Sequence, residues 1–214
     1  PPEKDLDWSD QGVEGAHRFL KRVWKLVEQN LDAIKNASAK HIPMADLKDT
    51  ADRDIKRQIH ATLANVTKDI RDEQQFNTAV ARLMELANAL GSFAPKTETS
   101  WTVMREGVET LLLCLNPFAP HITEELWHMI GNDDFLSIHP WFAVEESALV
   151  QDSVVIVLQI NGKVREQFNV KAGLSKDELL ADVMSRPETQ ARIAGQTVIK
   201  QIAVPGRLVN LVVK

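Results

Sequence analysis

Residues 115–131, LNPFAPHITEELWHMIG, set two prolines and an aromatic residue between two apolar helical patterns. Upstream, Met104, Val108, Leu111, Leu112 and Leu115 recur at helical spacing and predict one apolar helix face. Pro117 ends that helix, because proline has no N–H to donate and drives the preceding residue out of the α region. Phe118, between Pro117 and Pro120, is placed to fill the elbow. The next helix is expected to carry Glu124 and Glu125 in its first turn, where the helix dipole favours negative charge, and to stop at Gly131. Taken alone, the stretch is a corner between two helices of a bundle.

The rest of the chain bounds what such a bundle belongs to. With 214 residues, 44% of them hydrophobic, there is room for one large domain or a large and a small one. No apolar run approaches the roughly 20 residues that cross a bilayer, and Pro1-Pro2-Glu3-Lys4 does not open a signal peptide, so a cytoplasmic location and no membrane partner are expected. The start without methionine suggests a piece of something longer. The single cysteine, Cys114, lies in the apolar run LLLCLN and reads as a buried structural thiol. The net charge of -5 is uneven: residues 1–150 carry 16 Lys+Arg against 24 Asp+Glu, and residues 151–214 carry 9 against 6. An acidic body with a basic tail hints at nucleic acid, although small basic domains are common.

Residues 1–12 read as the tail of a preceding domain. From Val13 to about Leu31, Phe19, Leu20, Val23, Trp24 and Val27 form an apolar helix face, with Arg18, Arg22 and Lys25 on the other side. A loop over 37–50 follows, in which His41 reads as a surface residue. Between Ala51 and Arg71, at 100° per residue, Ile55, Ile59, Leu63, Val66 and Ile70 make an apolar stripe; Arg53, Arg57, His60, Lys68 and Arg71 make a basic ridge opposite. Such a ridge could track a phosphate backbone. A solvated face with Asp52, Asp54 and Asp69 nearby remains the plainer alternative. In the next helix Phe76, Val80, Leu83, Ala87 and Leu90 are the expected core, and the helix feeding the corner is expected to start near Trp101. His121 has no partner at metal-ligand spacing and suits a hydrogen-bonded structural role.

Residues 13–131 thus form an all-α bundle, and 132–153 read as an irregular acidic connector that packs partly through Phe135, Trp141 and Phe142. Residues 154–214 change character. VVIVLQINGKVREQFNV, 154–170, alternates about Asn161-Gly162, the strongest short signal for a type I′ hairpin. Strict alternation puts Lys163, Arg165, Gln167 and Asn169 on one face and Val164, Phe168 and Val170 on the other. Ser175 and Glu178 predict a capping box, Pro187 separates a second short helix, and 197–213 returns as two strands about Pro205-Gly206. The fold class expected is therefore multi-domain: a helical bundle followed by a small α+β domain of order ββααββ.

Four stretches carry a family resemblance. Pro-Phe-x-Pro-His followed by Glu-Glu-Leu-Trp, residues 117–127, resembles the corner of the anticodon-binding-type domain in class I aminoacyl-tRNA synthetases for large aliphatic amino acids. LDW at 6–8 with GVEGAHRFLKRVWKLV at 12–27 resembles the join to that domain in bacterial leucyl-tRNA synthetases. DEQQFNTAVARLMELAN at 72–88 resembles a helix of their bundle, and QINGKVR at 159–165 with VPGRLVNLVV at 204–213 resembles their C-terminal domain. The resemblance implies an ATP-dependent leucine–tRNA ligase as the parent, using ATP and magnesium and carrying upstream catalytic and editing domains. None of that chemistry is expected in these residues: HIPM at 41–44 lacks the glycine and second histidine of the family's His-Ile-Gly-His motif, and no Lys-Met-Ser-Lys-Ser loop is present.

What the resemblance implies for this piece is binding of leucine tRNA, as a monomer with no cofactor or metal of its own. Charge and geometry then single out Lys163, Arg165, Lys200, Arg207 and Asn210 in the tail, and Arg18, Arg22, Arg53, Arg57, Lys68 and Arg71 in the bundle, as tRNA contacts. Two alternatives stay open: a valyl or isoleucyl synthetase, whose typical coiled-coil arm or zinc module is not legible here, and a helical protein-interaction scaffold with a basic appendage.

Overall fold

The computed structural model describes residues 10–150 and 153–214, and these divide into two compact units, within Pro1–Val150 and Gln151–Lys214. The LDW motif, most of the expected 1–12 tail, and residues 151–152 of the expected connector lie outside the described residues. Among the described residues no helix is long and apolar enough to cross a membrane.

The first unit holds α1 (Asp10–Gln29), α2 (Leu31–Asn36), α3 (Thr50–Arg71), α4 (Phe76–Ser92), α5 (Glu98–Leu115), α6 (Pro120–Met129) and α7 (Glu146–Leu149). α5 begins earlier than Trp101 because the Thr97 hydroxyl accepts the Ser100 N–H and caps it. It packs against α2, α3, α4 and α6, and every residue from Thr102 to Leu115 is buried. The expectation of a single apolar face is therefore too narrow. α5 is enclosed on all sides. Gly107 makes this possible: a Cβ there would fall 2.5 Å from Leu90 Cδ2 and 2.9 Å from Ile59 Cδ1. Cys114 is buried as expected, and burial pushes its thiol up to about 12.

An enclosed helix must satisfy its polar residues inside the protein. Glu106 of α5 receives Lys56 Nζ of α3 at 2.8 and 2.9 Å and His60 Nε2 at 2.9 Å. Because His60 Nδ1 accepts the Glu145 N–H at 3.2 Å, its Nε2 carries the proton and donates to Glu106. Lys56 also reaches Glu145 at 3.1 Å, and Arg105 donates to Glu109 at 2.8 Å and to the Ala37 carbonyl at 2.9 Å. His41 completes the cluster, 3.2 Å from Glu109 and 3.6 Å from Glu106, so it is a half-buried member of a polar core and not a surface loop residue.

The corner forms with Phe118 partly buried against the core and Pro120 at the first turn of α6. Asn116, ahead of Pro117, keeps α-region dihedrals (φ -53°, ψ -42°), so α5 ends through the N–H that Pro117 lacks and not through expulsion of the preceding residue. Because α6 starts at Pro120, Glu124 and Glu125 fall beyond its first turn. Glu124 instead accepts the N–H groups of Leu136 and Ser137 at 2.9 and 2.7 Å and pins the connector. Leu136 and Ala148 are buried, Phe142 and Val144 pack on the core, and Trp141 Nε1 donates to Thr67 Oγ1 at 2.8 Å. Phe135 stays exposed. His121 is also exposed, and its side chain makes no hydrogen bond among the described residues, contrary to its expected role. In α4 Phe76 is exposed and Val80 half-buried; Ala79 and Leu86 take core positions beside Leu83, Ala87 and Leu90.

The second unit runs β1 (Ser153–Ile160), β2 (Lys163–Lys171), α8 (Lys176–Ser185), α9 (Pro187–Ile193), β3 (Val198–Val204) and β4 (Leu208–Val213), the predicted ββααββ order. The sheet order is β2-β1-β4-β3, with β1 parallel to β4 and two antiparallel hairpins outside. Asn161 and Gly162 both have positive φ, 50° and 78°, as the two-residue hairpin requires. The Ser175–Glu178 capping box is present in both directions.

Candidate nucleic-acid interface

The basic ridge expected on α3 does not survive folding as a row of available cations. His60 is buried in the polar core. Arg53 donates to the carbonyls of Met44 and Leu47 at 3.0 and 3.2 Å, and Arg57 pairs with Asp54 at 2.8 Å and reaches the Val150 carbonyl. Lys68 sits 2.6 Å from Glu73, and Arg71 2.8 Å from Asp72; these hydrogen bonds raise both cations' pKa values above the ordinary range. Sequence periodicity located the helix correctly but was blind to the chain segments that fold back on it.

α1 is different. Arg18, Lys21, Arg22 and Lys25 are all exposed along one side. Arg22 donates to Asn88 Oδ1 of α4 at 3.0 Å, and Arg18 has only a loose 3.6 Å pairing with Glu14. Lys21 was not among the residues singled out from the sequence, although its i, i+3, i+4, i+7 spacing with 18, 22 and 25 was a readable signal.

In the second unit Lys163, Arg165, Lys200 and Arg207 are exposed and have no ion-pair partner among the described residues. Their arrangement departs from strict alternation. Leu158 pairs with Glu166 and Gln159 with Val164, so Arg165 is the extra residue of a β-bulge. Beyond the bulge the faces exchange: Lys163 stands opposite buried Ile160, and Val164, 59% exposed, joins the face of Gln167 and Asn169. Asn210, expected to touch RNA, has a structural partner: its Oδ1 accepts the Gly162 N–H at 3.1 Å and holds the hairpin against β4. Elsewhere in the unit Arg186 pairs with Asp182 and lies 4.8 Å over the Phe168 ring, and Arg192 pairs with Glu166, so neither is available. No group of three or more His, Cys, Asp or Glu side chains suited to a metal ion occurs among the described residues.

Comparison with known proteins gives these exposed cations a family context. Residues 52–180 match the family of the anticodon-binding domain of tRNA ligase, which covers more than half of the chain. The chain belongs to that family. The match extends from α3 across the first unit into α8 of the second. Similar curated proteins are leucine–tRNA ligases: that of Pseudoalteromonas atlantica is 43% identical over 99% of this chain, and that of Thioalkalivibrio sulfidiphilus 44% identical over all of it. A third, from Geotalea uraniireducens, is 42% identical over all of the chain. The chain spans about a quarter of these relatives, 24% to 26% of their length. Among solved structures it is similar to the LeuRS of Agrobacterium radiobacter K84, crystallised as a ternary complex with tRNA and LeuAMS, with a TM-score of 0.80 and 32% identity over 98% of this chain and 27% of that one.

Proposed function

We propose that this chain is the tRNA-binding C-terminal part of a cytoplasmic leucine–tRNA ligase, and that it holds leucine tRNA while the rest of the longer protein performs ATP-dependent leucylation and editing. Its contribution to catalysis is positioning: an RNA body fixed at a distance lowers the entropy cost of presenting the acceptor end to a remote site. ATP and magnesium belong, in this reading, to the upstream domains, and the whole protein acts as a monomer.

The observation that carries the reading is the contrast in cation availability. The body, net -8, repels RNA at long range, but screening over about 8 Å at physiological salt leaves contact to local charge. Lys163, Arg165, Lys200 and Arg207 supply it in the net +3 second unit, unneutralised among the described residues. Structured RNA is met chiefly through backbone and shape, which suits exposed cations on a rigid sheet. The valyl, isoleucyl and scaffold alternatives have no comparable support from the relatives.

The test is a backbone footprint of a bacterial leucine tRNA by the 214-residue chain. Protection of the outer corner and the long variable arm is the expected result. Uniform cleavage at low salt, with the chain in excess, would overturn the reading.

A further inference from the structure

We propose that the groove between α1 and α4 is a track for the phosphate backbone of RNA, built by Arg18, Lys21, Arg22 and Lys25; this rests on the tRNA-binding reading and names where the bundle meets the RNA. An open groove of about 620 Å³ is lined by Arg22, Lys25, Gln29, Asn88, Gly91 and Ser92 among others, and one of about 550 Å³ by Arg18, Lys21, Arg22, Gly15 and Met84. Arg22 is common to both. Neither has a carboxylate among its lining residues, on a body whose net charge is -8; Glu14, 3.6 Å from Arg18, stands at the N-terminal end of the row.

The geometry matches a nucleic-acid strand. Positions 18, 21, 22 and 25 lie along one side of a helix rising 1.5 Å per residue, so their cations span about 10 Å, a length that holds about three charges per strand when measured along the axis of a duplex. Lys21 and Lys25 have no ion-pair partner among the described residues. Arg22 is pre-oriented by Asn88 Oδ1, which leaves the rest of its guanidinium to face an anion.

The opposite wall does not repel phosphate as a bare helix C-terminus would. At the end of α4 the Asn88 carbonyl accepts Ser92 Oγ at 3.0 Å, and the Ala89 and Leu90 carbonyls accept the Phe93 N–H at 2.9 and 3.3 Å. Gly91 keeps the wall low: a Cβ there would meet nothing within 4 Å. The α3 cations offer no such row, because each has its own partner.

The experiment measures the salt dependence of leucine tRNA binding by the 214-residue chain and by Lys21→Gln/Lys25→Gln. Losing two phosphate contacts, at about 0.7 to 0.9 per contact, lowers the slope of log K against log salt by about 1.5 and the affinity at 0.15 M by roughly twenty-fold. Lys21→Arg/Lys25→Arg should restore both, and Lys68→Gln/Arg71→Gln should change neither appreciably. An unchanged slope in the folded glutamine variant, with the parent chain binding normally, overturns the groove and leaves the tRNA reading intact. No binding by the parent chain overturns both. An equal loss of binding to polyglutamate marks a general polyanion surface and also overturns the proposal.

Discussion

Lys56 Nζ lies 2.8 and 2.9 Å from the two carboxylate oxygens of Glu106, and both side chains are buried almost completely. This contact joins α3 to α5 at the centre of the bundle, and through Glu145, 3.1 Å from Lys56, it also fixes the connector. Breaking one side of a buried pair leaves a charge without its partner, which costs about 3 to 5 kcal/mol. Lys56→Met is therefore expected to lower the urea-unfolding free energy by about that amount. Lys56→Met/Glu106→Gln should recover much of it, since the neutral amide introduced in place of the carboxylate would still accept from His60. Equal stability of single and double variants would show that the pair is not coupled.

This pair also marks where the sequence stops being legible. Pro117, Asn161-Gly162 and Ser175 with Glu178 act through chemistry within a few residues, and each forms the corner, turn or cap its type dictates. His60 reads as solvent-facing because periodicity assigns polar residues outward; its burial depends on Glu106, 46 positions away, as does that of Lys56, 50 positions away. The bulge at Arg165 is equally silent, since an inserted residue shows only when the partner strand is known. Of the proposed contacts, the tail cations remain available and the α3 cations do not: Lys68 and Arg71 pair locally with Glu73 and Asp72, whereas Arg53 is held by the carbonyls of Met44 and Leu47.

The polar core should make stability depend on pH in two directions. Burial lowers the His41 pKa, but its hydrogen bond with Glu109 and the charge of Glu106 outweigh burial and leave it above 6.5. A raised folded value means the contribution is full below pH 6.5 and is lost as pH rises through the folded pKa. Burial would raise the Glu106 carboxyl, but His60 and Lys56 outweigh it and hold it below 4.5, so its contribution is full above pH 4.5 and is lost as pH falls through the depressed value. Urea unfolding across this range should show maximal stability between about pH 4.5 and 6.5. His41→Gln should flatten the decline above pH 6.5; a decline of the same steepness in this variant would assign it to another group.

At Gly107 α5 lies directly against the side-chain ends of Leu90 in α4 and Ile59 in α3, both fully buried. Gly107→Ala places a methyl group against Leu90 and Ile59 at separations of 2.5 and 2.9 Å, measured to the built Cβ. Overpacking of this kind costs about 1 to 3 kcal/mol, more than alanine's helix propensity returns. The urea midpoint of the first unit should fall while that of the second stays unchanged. A rise in the first midpoint would mean that Leu90 and Ile59 yield without strain.

In the tail, the bulge changes what a charge substitution means. Lys163 and Arg165 are exposed, have no ion-pair partner among the described residues, and are separated by exposed Val164, so Lys163→Ala/Arg165→Ala removes charge without removing a core contact. The hairpin should persist, because it is held by Asn161, which exchanges hydrogen bonds with the Val213 backbone at 2.9 and 3.1 Å, and by Asn210 on the Gly162 N–H. Binding of leucine tRNA should then lose about 1.4 to 1.8 units of salt slope. Lys68→Ala/Arg71→Ala should lose less, since Glu73 and Asp72 already neutralise those cations. Asn210→Ala provides the internal contrast: it should loosen the hairpin, seen as faster amide exchange at Gly162, with little direct effect on salt slope. If the tail double variant stays folded and its slope is unchanged, the RNA does not reach β2, and the contact moves to Lys200 and Arg207.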